Sequence, residues 1–237
     1  MKERLPIVRM MLEAILIVAS ILLAFGIDAW WNERQERIEE TEILQGLKQE
    51  FDRNQTILEN QIAYHSEALL AIEELLAASR RGSWESDTHT VDEALGGLIG
   101  PPTTDLGSGV LDALVGAGRI QILSNKNLRT KLAAWKGVFG EVHDDEVMAR
   151  NFVMNQVINY LTKEGVPLGG AFINTRAKWP TALADDADAL SRLWADPEFR
   201  SILEVRYRFK SHTTVEYESA MTAIEEILAE IERSLAE

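Results

Sequence analysis

The chain has 237 residues, 46% hydrophobic and 26% charged, with 15 glycines and 6 prolines, a balance that supports a buried core and excludes a disordered or fibrous chain. Its formal net charge is −14, and all of it lies beyond Asp28, because the first 28 residues hold three basic and three acidic side chains. A field of that sign repels phosphate backbones and excludes nucleic acid as a partner, while the absence of cysteine excludes disulfides, thiolate metal sites and cysteine nucleophiles.

The first element is an apolar helix. Residues 14–27 carry no charge but cover only about 21 Å at 1.5 Å per residue, short of the ~30 Å hydrocarbon core, so the span must extend over residues 10–31. That places Glu13 and Asp28 just inside the two interfaces, and Trp30 and Trp31 at headgroup depth as interface anchors. A cleaved signal peptide is the rival reading, with a small-residue site at Ala24 to Gly26; Glu13 within the apolar region and the unbroken helical pattern after Asp28 argue against it. Lys2, Arg4 and Arg9 precede the span, and Glu33, Glu36, Glu39 and Glu40 outnumber Arg34 and Arg37 after it. The expected topology is single-pass, with the N-terminus cytoplasmic and the main domain periplasmic at a bacterial inner membrane.

Glu13, Ser20, Ala24 and Asp28 share one face of the span, a polar and small stripe suited to contact with a partner helix. Two alternatives stand beside this: the acids snorkel to the interfaces, or the stripe belongs to a proton pathway.

Residues 1–31 thus form a tail and anchor, and residues 32–237 one helical domain. From residue 32 to about 80, Leu44, Leu47, Phe51, Asn54, Leu58, Ile62, His65, Leu69, Ile72 and Leu76 recur at spacings of mostly three and four, the seam of a long helix continuous with the span. Short helices are expected over residues 91–99 and 108–117, with Gly118 as a left-handed cap. A corner at residues 119–123 follows, its Ile120 and Ile122 plugging the bundle end, and Ser124 or Asn125 caps the next helix. That helix runs over residues 127–163, an irregular segment over 165–184 holds Trp179, and a last long helix begins at Pro197. The last helix buries Phe199, Ile202, Phe209, Met221, Ile224, Leu228, Ile231 and Leu235. The fold class is all-α: an N-terminal transmembrane helix continuous with a long helix in an elongated antiparallel helical bundle.

The runs ILIVASILLAFGIDAWWNERQE, EILQGLKQEFDRNQTIL and LDALVGAGRIQILSNKNLRTKLAAW resemble a bacterial family of single-pass membrane proteins with no assigned activity. The family's elements are an Asn-Trp-Asn-Glu-like end to the span, met here by residues 28–33, an acidic-x-x-Asn step, at whose place residues 50–58 carry Glu50 and Asp52 ahead of Asn54 at other spacings, and a glycine- and leucine-rich segment at 114–129, with Ala117 in place of a small polar residue. The resemblance implies an all-helical, membrane-anchored domain and supplies no catalytic residue.

Chemistry must be read from the residues alone. His65, His143 and His212 fall near the middle of separate long helices, but no Glu-x-x-His or His-x-x-x-His pair accompanies them, and neither metal nor cofactor is expected. Consecutive acids at 141–146 point to different sides of a helix and make a poor cage. The glycines form no nucleotide fingerprint, and neither G-x-S-x-G nor S-x-x-K occurs. Trp84, Trp135, Trp179 and Trp194 read as core plugs, and Arg119, Lys126, Arg129 and Lys131 as a local basic patch, either paired within the chain or a docking site for an acidic protein. The expected function is a membrane-anchored interaction or scaffold protein, an accessory subunit docking on another integral membrane protein or self-associating, with the lipid bilayer as its other partner. The alternative is a ligand-sensing bundle that signals through a partner, because about nine residues before the span are too few for a transmitter.

Overall fold

The computed structural model describes residues 4–86, 89–100, 103–166, 168 and 186–236. Helix α1, Arg4–Arg81, runs unbroken for 78 residues, about 117 Å at 1.5 Å per residue. Its one helix-length apolar window, near the N-terminus, is long enough to cross a membrane, and none of that window is buried. Trp30 and Trp31 are exposed, and the first core residue on α1 is Leu44.

From Leu44 onward α1 is one of three long helices in the bundle. Helix α2, Val91–Ile99, starts at a capping box in which the Thr90 hydroxyl accepts from the Glu93 amide while Glu93 accepts from the Thr90 amide. Helix α3, Gly109–Gly116, continues the descent, and Gly118 at φ +67° ends it in the left-handed region that favours glycine. A 3-10 turn at Ile120–Ile122 reverses the chain, and the side chain of Asn125 accepts from the amides of Asn127 and Leu128 to start α4, Lys126–Phe152. A π-helical segment, Val153–Val157, leads into α5, Ile158–Lys163. Helix α6, Ala187–Ala195, precedes the last long helix α7, Pro197–Ala236.

Cross-helix pairs fix the directions. Lys48 meets Glu232 at 3.4 Å and Tyr207 donates to Glu73 at 2.8 Å, so α7 runs antiparallel to α1. Lys131 meets Glu226 at 2.5 Å and Tyr217 donates to Glu146 at 2.7 Å, so α7 is also antiparallel to α4. With α2 and α3 as one interrupted descending rod, the topology is up, down, up, down. The all-α antiparallel bundle expected from sequence is what forms.

Several local details differ from the sequence expectation. The α1 seam follows Leu44, Leu47, Phe51, Asn54, Leu58 and His65 and then passes through Ala68, Ile72 and Leu75; Ile62, Leu69 and Leu76 are only half-buried at its flank. The cause is α2: a Cβ on Gly97 would lie 3.2 Å from the Ala68–Ala71 surface, so two alanines and a glycine let the helices approach closely. Residues 127–163 are not one regular helix, because the π segment interposes a wider turn that keeps both Val153 and Val157 in the core. On α7, Phe209, Met221 and Leu235 are half-buried. At the corner, the fully buried plug is Leu123, while Ile120 and Ile122 are half-buried. Trp135 and Trp194 are core residues, Trp84 stacks on Trp194 at 6.2 Å, and Trp179 lies outside the described residues with most of the irregular segment expected at 165–184.

Candidate functional site

The apolar core is in two pieces. One cluster, from Leu44 to Leu58 on α1 with Leu123, Trp135, Ile224 and Ile231, fills the end nearer the apolar segment; the other, from Ala71 to Ala78 with Leu95, Val157, Trp194 and Phe199, fills the far end. Between them α1 supplies His65, α4 supplies Glu146, and α7 supplies Arg206, Lys210 and Thr213, all buried. A polar layer across the middle of a bundle is costly: each buried ion carries a penalty of several kcal/mol unless partners repay it.

Part of the layer is fully satisfied. One carboxylate oxygen of Glu146 accepts from Tyr217 at 2.7 Å and from Thr104 at 2.6 Å. Burial raises the Tyr217 phenol well above its ordinary value, and the Glu146 carboxylate adds to that. Thr104 belongs to the connection between α2 and α3, and the same connection is held by Asn54, whose amide donates to the Gly107 carbonyl at 2.8 Å and accepts from its N–H at 2.7 Å. Glu50 accepts from the Val110 and Leu111 amides at the start of α3. Arg206 donates from Nε to the Leu98 carbonyl at 2.9 Å and from Nη2 to the Gly100 carbonyl at 2.7 Å, closing the C-terminal end of α2. Polar residues from all three long helices therefore anchor one crossing segment.

The rest of the layer is not satisfied among the described residues. Arg206 Nη1, Lys210 Nζ and both ring nitrogens of His65 are buried without a hydrogen bond. Lys210 Nζ faces the ring of Tyr64 at 4.5 Å from its centroid, and His65 packs on Tyr217 at 5.0 Å. Burial, then the charges of Lys210 and Arg206, pull the His65 imidazole down to about 3, so it is neutral. Burial brings Arg206 down to about 10, still cationic at neutral pH, and burial together with Arg206 depresses Lys210 well below its ordinary value.

A second cluster lies on the outer surface at the same level. Asp145, His212 and Glu216 hold ligand atoms within 4.8 Å of one another, with His212 Nδ1 at 2.8 Å from Asp145. One imidazole and two carboxylates suit a borderline or hard divalent cation, and a groove of about 270 Å³ beside them is lined by Met148, Val205, Arg208, Phe209 and Thr213. His65, His143 and His212 do not converge: His65 is in the core, while His143 and His212 are exposed. The pair His212 and Glu216, four residues apart on α7, is the sequence signal for this cluster.

The residues singled out from sequence are spread over the chain. Glu13 pairs with Arg9 at 3.2 Å, and the Ser20 hydroxyl donates to the Leu16 carbonyl at 2.7 Å, so both have partners within α1 while Ala24 and Asp28 share the exposed segment with them. In the basic patch, Arg119 pairs with Glu39, Lys131 with Glu226, and Arg129 donates to the Leu123 and Ser124 carbonyls. Those three are engaged inside the bundle; Arg119 and Lys131 make ion pairs, and among the described residues neither Arg129 nor Lys126 does. Sequence reasoning missed Arg206 and Lys210, because charged residues one turn apart read as a solvated face.

No protein-family model matches the chain, and no curated protein and no solved structure matches it.

Proposed function

We propose that the protein is a single-pass anchor carrying a helical bundle that acts by contact, docking on another integral membrane protein or on a second copy of itself. The observation that carries the reading is the continuity of α1: an apolar segment with nothing packed on it runs without a break into the central helix of the bundle. A free-standing domain has no use for some twenty exposed apolar residues, and their burial in lipid is worth about 25 cal/mol per Å² of apolar surface. In this reading the N-terminus is cytoplasmic, the bundle stands in the periplasm of a bacterial inner membrane, and Glu13, Ser20, Ala24 and Asp28 meet the partner helix, where polar groups at membrane depth find protein.

The test is a mild-detergent affinity purification of the full chain from native membranes, beside a chain starting at Asn32 and the double substitution Glu13→Leu, Ser20→Leu. The expected result is a stoichiometric membrane partner, or a defined homo-oligomer, that is lost from both altered chains. Recovery of the same assembly from all three would overturn the contact role of the stripe. A ligand-sensing bundle is the second reading, favoured by the unsatisfied cationic layer in the core.

A further inference from the structure

The most anomalous feature of the interior is a pair of basic side chains one turn apart on α7 with no carboxylate partner among the described residues. Arg206 and Lys210 are both 0% exposed, and neither bonds to a carboxylate among the described residues. Native interiors satisfy nearly all buried polar atoms and pair buried charges, so a free guanidinium nitrogen and a free lysine amine in one layer call for a partner that the described residues do not supply. No neighbouring described element supplies that partner. From α1 come Tyr64 and neutral His65; from the end of α2 come the Leu98 and Gly100 carbonyls, already used by Arg206; from α4 comes Glu146, already committed to Tyr217 and Thr104.

The layer also has a door. Tyr64 is 37% exposed, yet its ring covers the fully buried Lys210 Nζ. Its hydroxyl rests against Gly100, where a methyl group would collide with it, so glycine at that position is what lets the ring close. Rotation of this one side chain about its first torsion would open the cation pair to solvent without moving a helix.

We infer that Arg206 and Lys210 form a binding site for a compact anion, a single carboxylate or phosphoryl group of a small molecule, gated by Tyr64. Two features select this class. Arg206 has committed Nε and one N–H of Nη2 to backbone carbonyls and keeps its Nη1 amino group, enough for a single small anionic group, and Lys210 adds a second basic group about one helical turn away. The inference rests on the second, ligand-sensing reading, and it stands or falls independently of the membrane contact stripe.

The experiment is thermal unfolding of the full chain in detergent, titrated separately with sodium acetate, sodium phosphate and sodium chloride. Lys210→Met is measured in parallel, with Lys126→Met as a control that removes the same charge from the surface. The expected result is a saturable rise of about 5–10 °C at a hundredfold excess over the dissociation constant for acetate or phosphate. That rise is retained in Lys126→Met and lost in Lys210→Met, whose own baseline rises because a buried amine without a hydrogen-bond partner is gone. Equal shifts in all three proteins, or a response to chloride that matches the other two salts, would overturn the inference. Should Lys210→Met fail to fold, calorimetry on the unaltered chain decides: a saturable heat with acetate or phosphate that sodium chloride does not give supports the site, and no heat, or the same heat with chloride, counts against it.

Discussion

His89 holds both ring nitrogens against carboxylates of α1, Nδ1 at 2.9 Å from Glu74 and Nε2 at 2.8 Å from Glu67. Ionised carboxylates only accept, so both nitrogens donate and the ring is an imidazolium. Burial favours the neutral ring and is the largest single effect, but the hydrogen bonds and charges of Glu74 and Glu67 together outweigh it and raise His89 above its ordinary 6.5. A folded-state value above the unfolded one means that the contribution is complete below about pH 6.5 and is lost as pH rises through the raised folded value. His89→Gln should therefore destabilise the chain on the order of 1 kcal/mol at pH 5.5, and the gap should close on the alkaline side. Urea unfolding at pH 5.5 and pH 9 checks this; an equal gap at both would show that the clamp is not ionic. His65 behaves in the opposite sense, neutral beside two cations, so the same residue type serves two electrostatic ends in one bundle.

Between α1 and α2 the packing depends on what is missing from the side chains. Gly97 faces Ala68 and Ala71, and a Cβ at Gly97 would lie 3.3 Å from the Ala68 backbone. Gly97→Leu should cost roughly 1–3 kcal/mol by forcing the helices apart, lowering the melting temperature by several degrees, as circular dichroism would record. A substitution tolerated without loss would mean that α2 is free to shift along α1. The same contact explains where the sequence was legible. From Leu44 to Leu58 the seam is written in large apolar residues, and the register read from them is the one that forms. Past His65 it is carried by alanines opposite a glycine, which give no hydrophobic signal, so Leu69 and Leu76 drew the reading one position aside. On α7 the helix ends were plain, but Arg206 and Lys210 occupy stripe positions in the guise of surface residues. Long elements and caps are local properties of sequence; a buried charge or a ligand cluster such as Asp145 with His212 depends on which helix arrives opposite, and no single-helix pattern encodes that.

At the scale of the molecule, α1 is both the longest element and the only link between the apolar segment and the bundle among the described residues. Its contacts with the domain begin at Glu39, which pairs with Arg119, and Glu40, which accepts from the Ser124 amide at 2.5 Å and its hydroxyl at 2.7 Å. Burial in the core begins at Leu44 and Leu47, at 2% and 0% exposure. Residues 9–38 are exposed and add nothing to the packing of the bundle. A chain starting at Asn32 should accordingly melt within about 2 °C of the full-length protein, since no tertiary contact is removed. A chain starting at Lys48 loses two core leucines, each worth about 2–5 kcal/mol, together with the two contacts that seat the 3-10 corner. It should melt more than about 10 °C lower or fail to fold. Circular dichroism melts of the three chains distinguish the cases. If the chain from Asn32 were itself strongly destabilised, the apolar segment would have to pack on the bundle in solution, and the division between anchor and domain on which the proposed function depends would be lost.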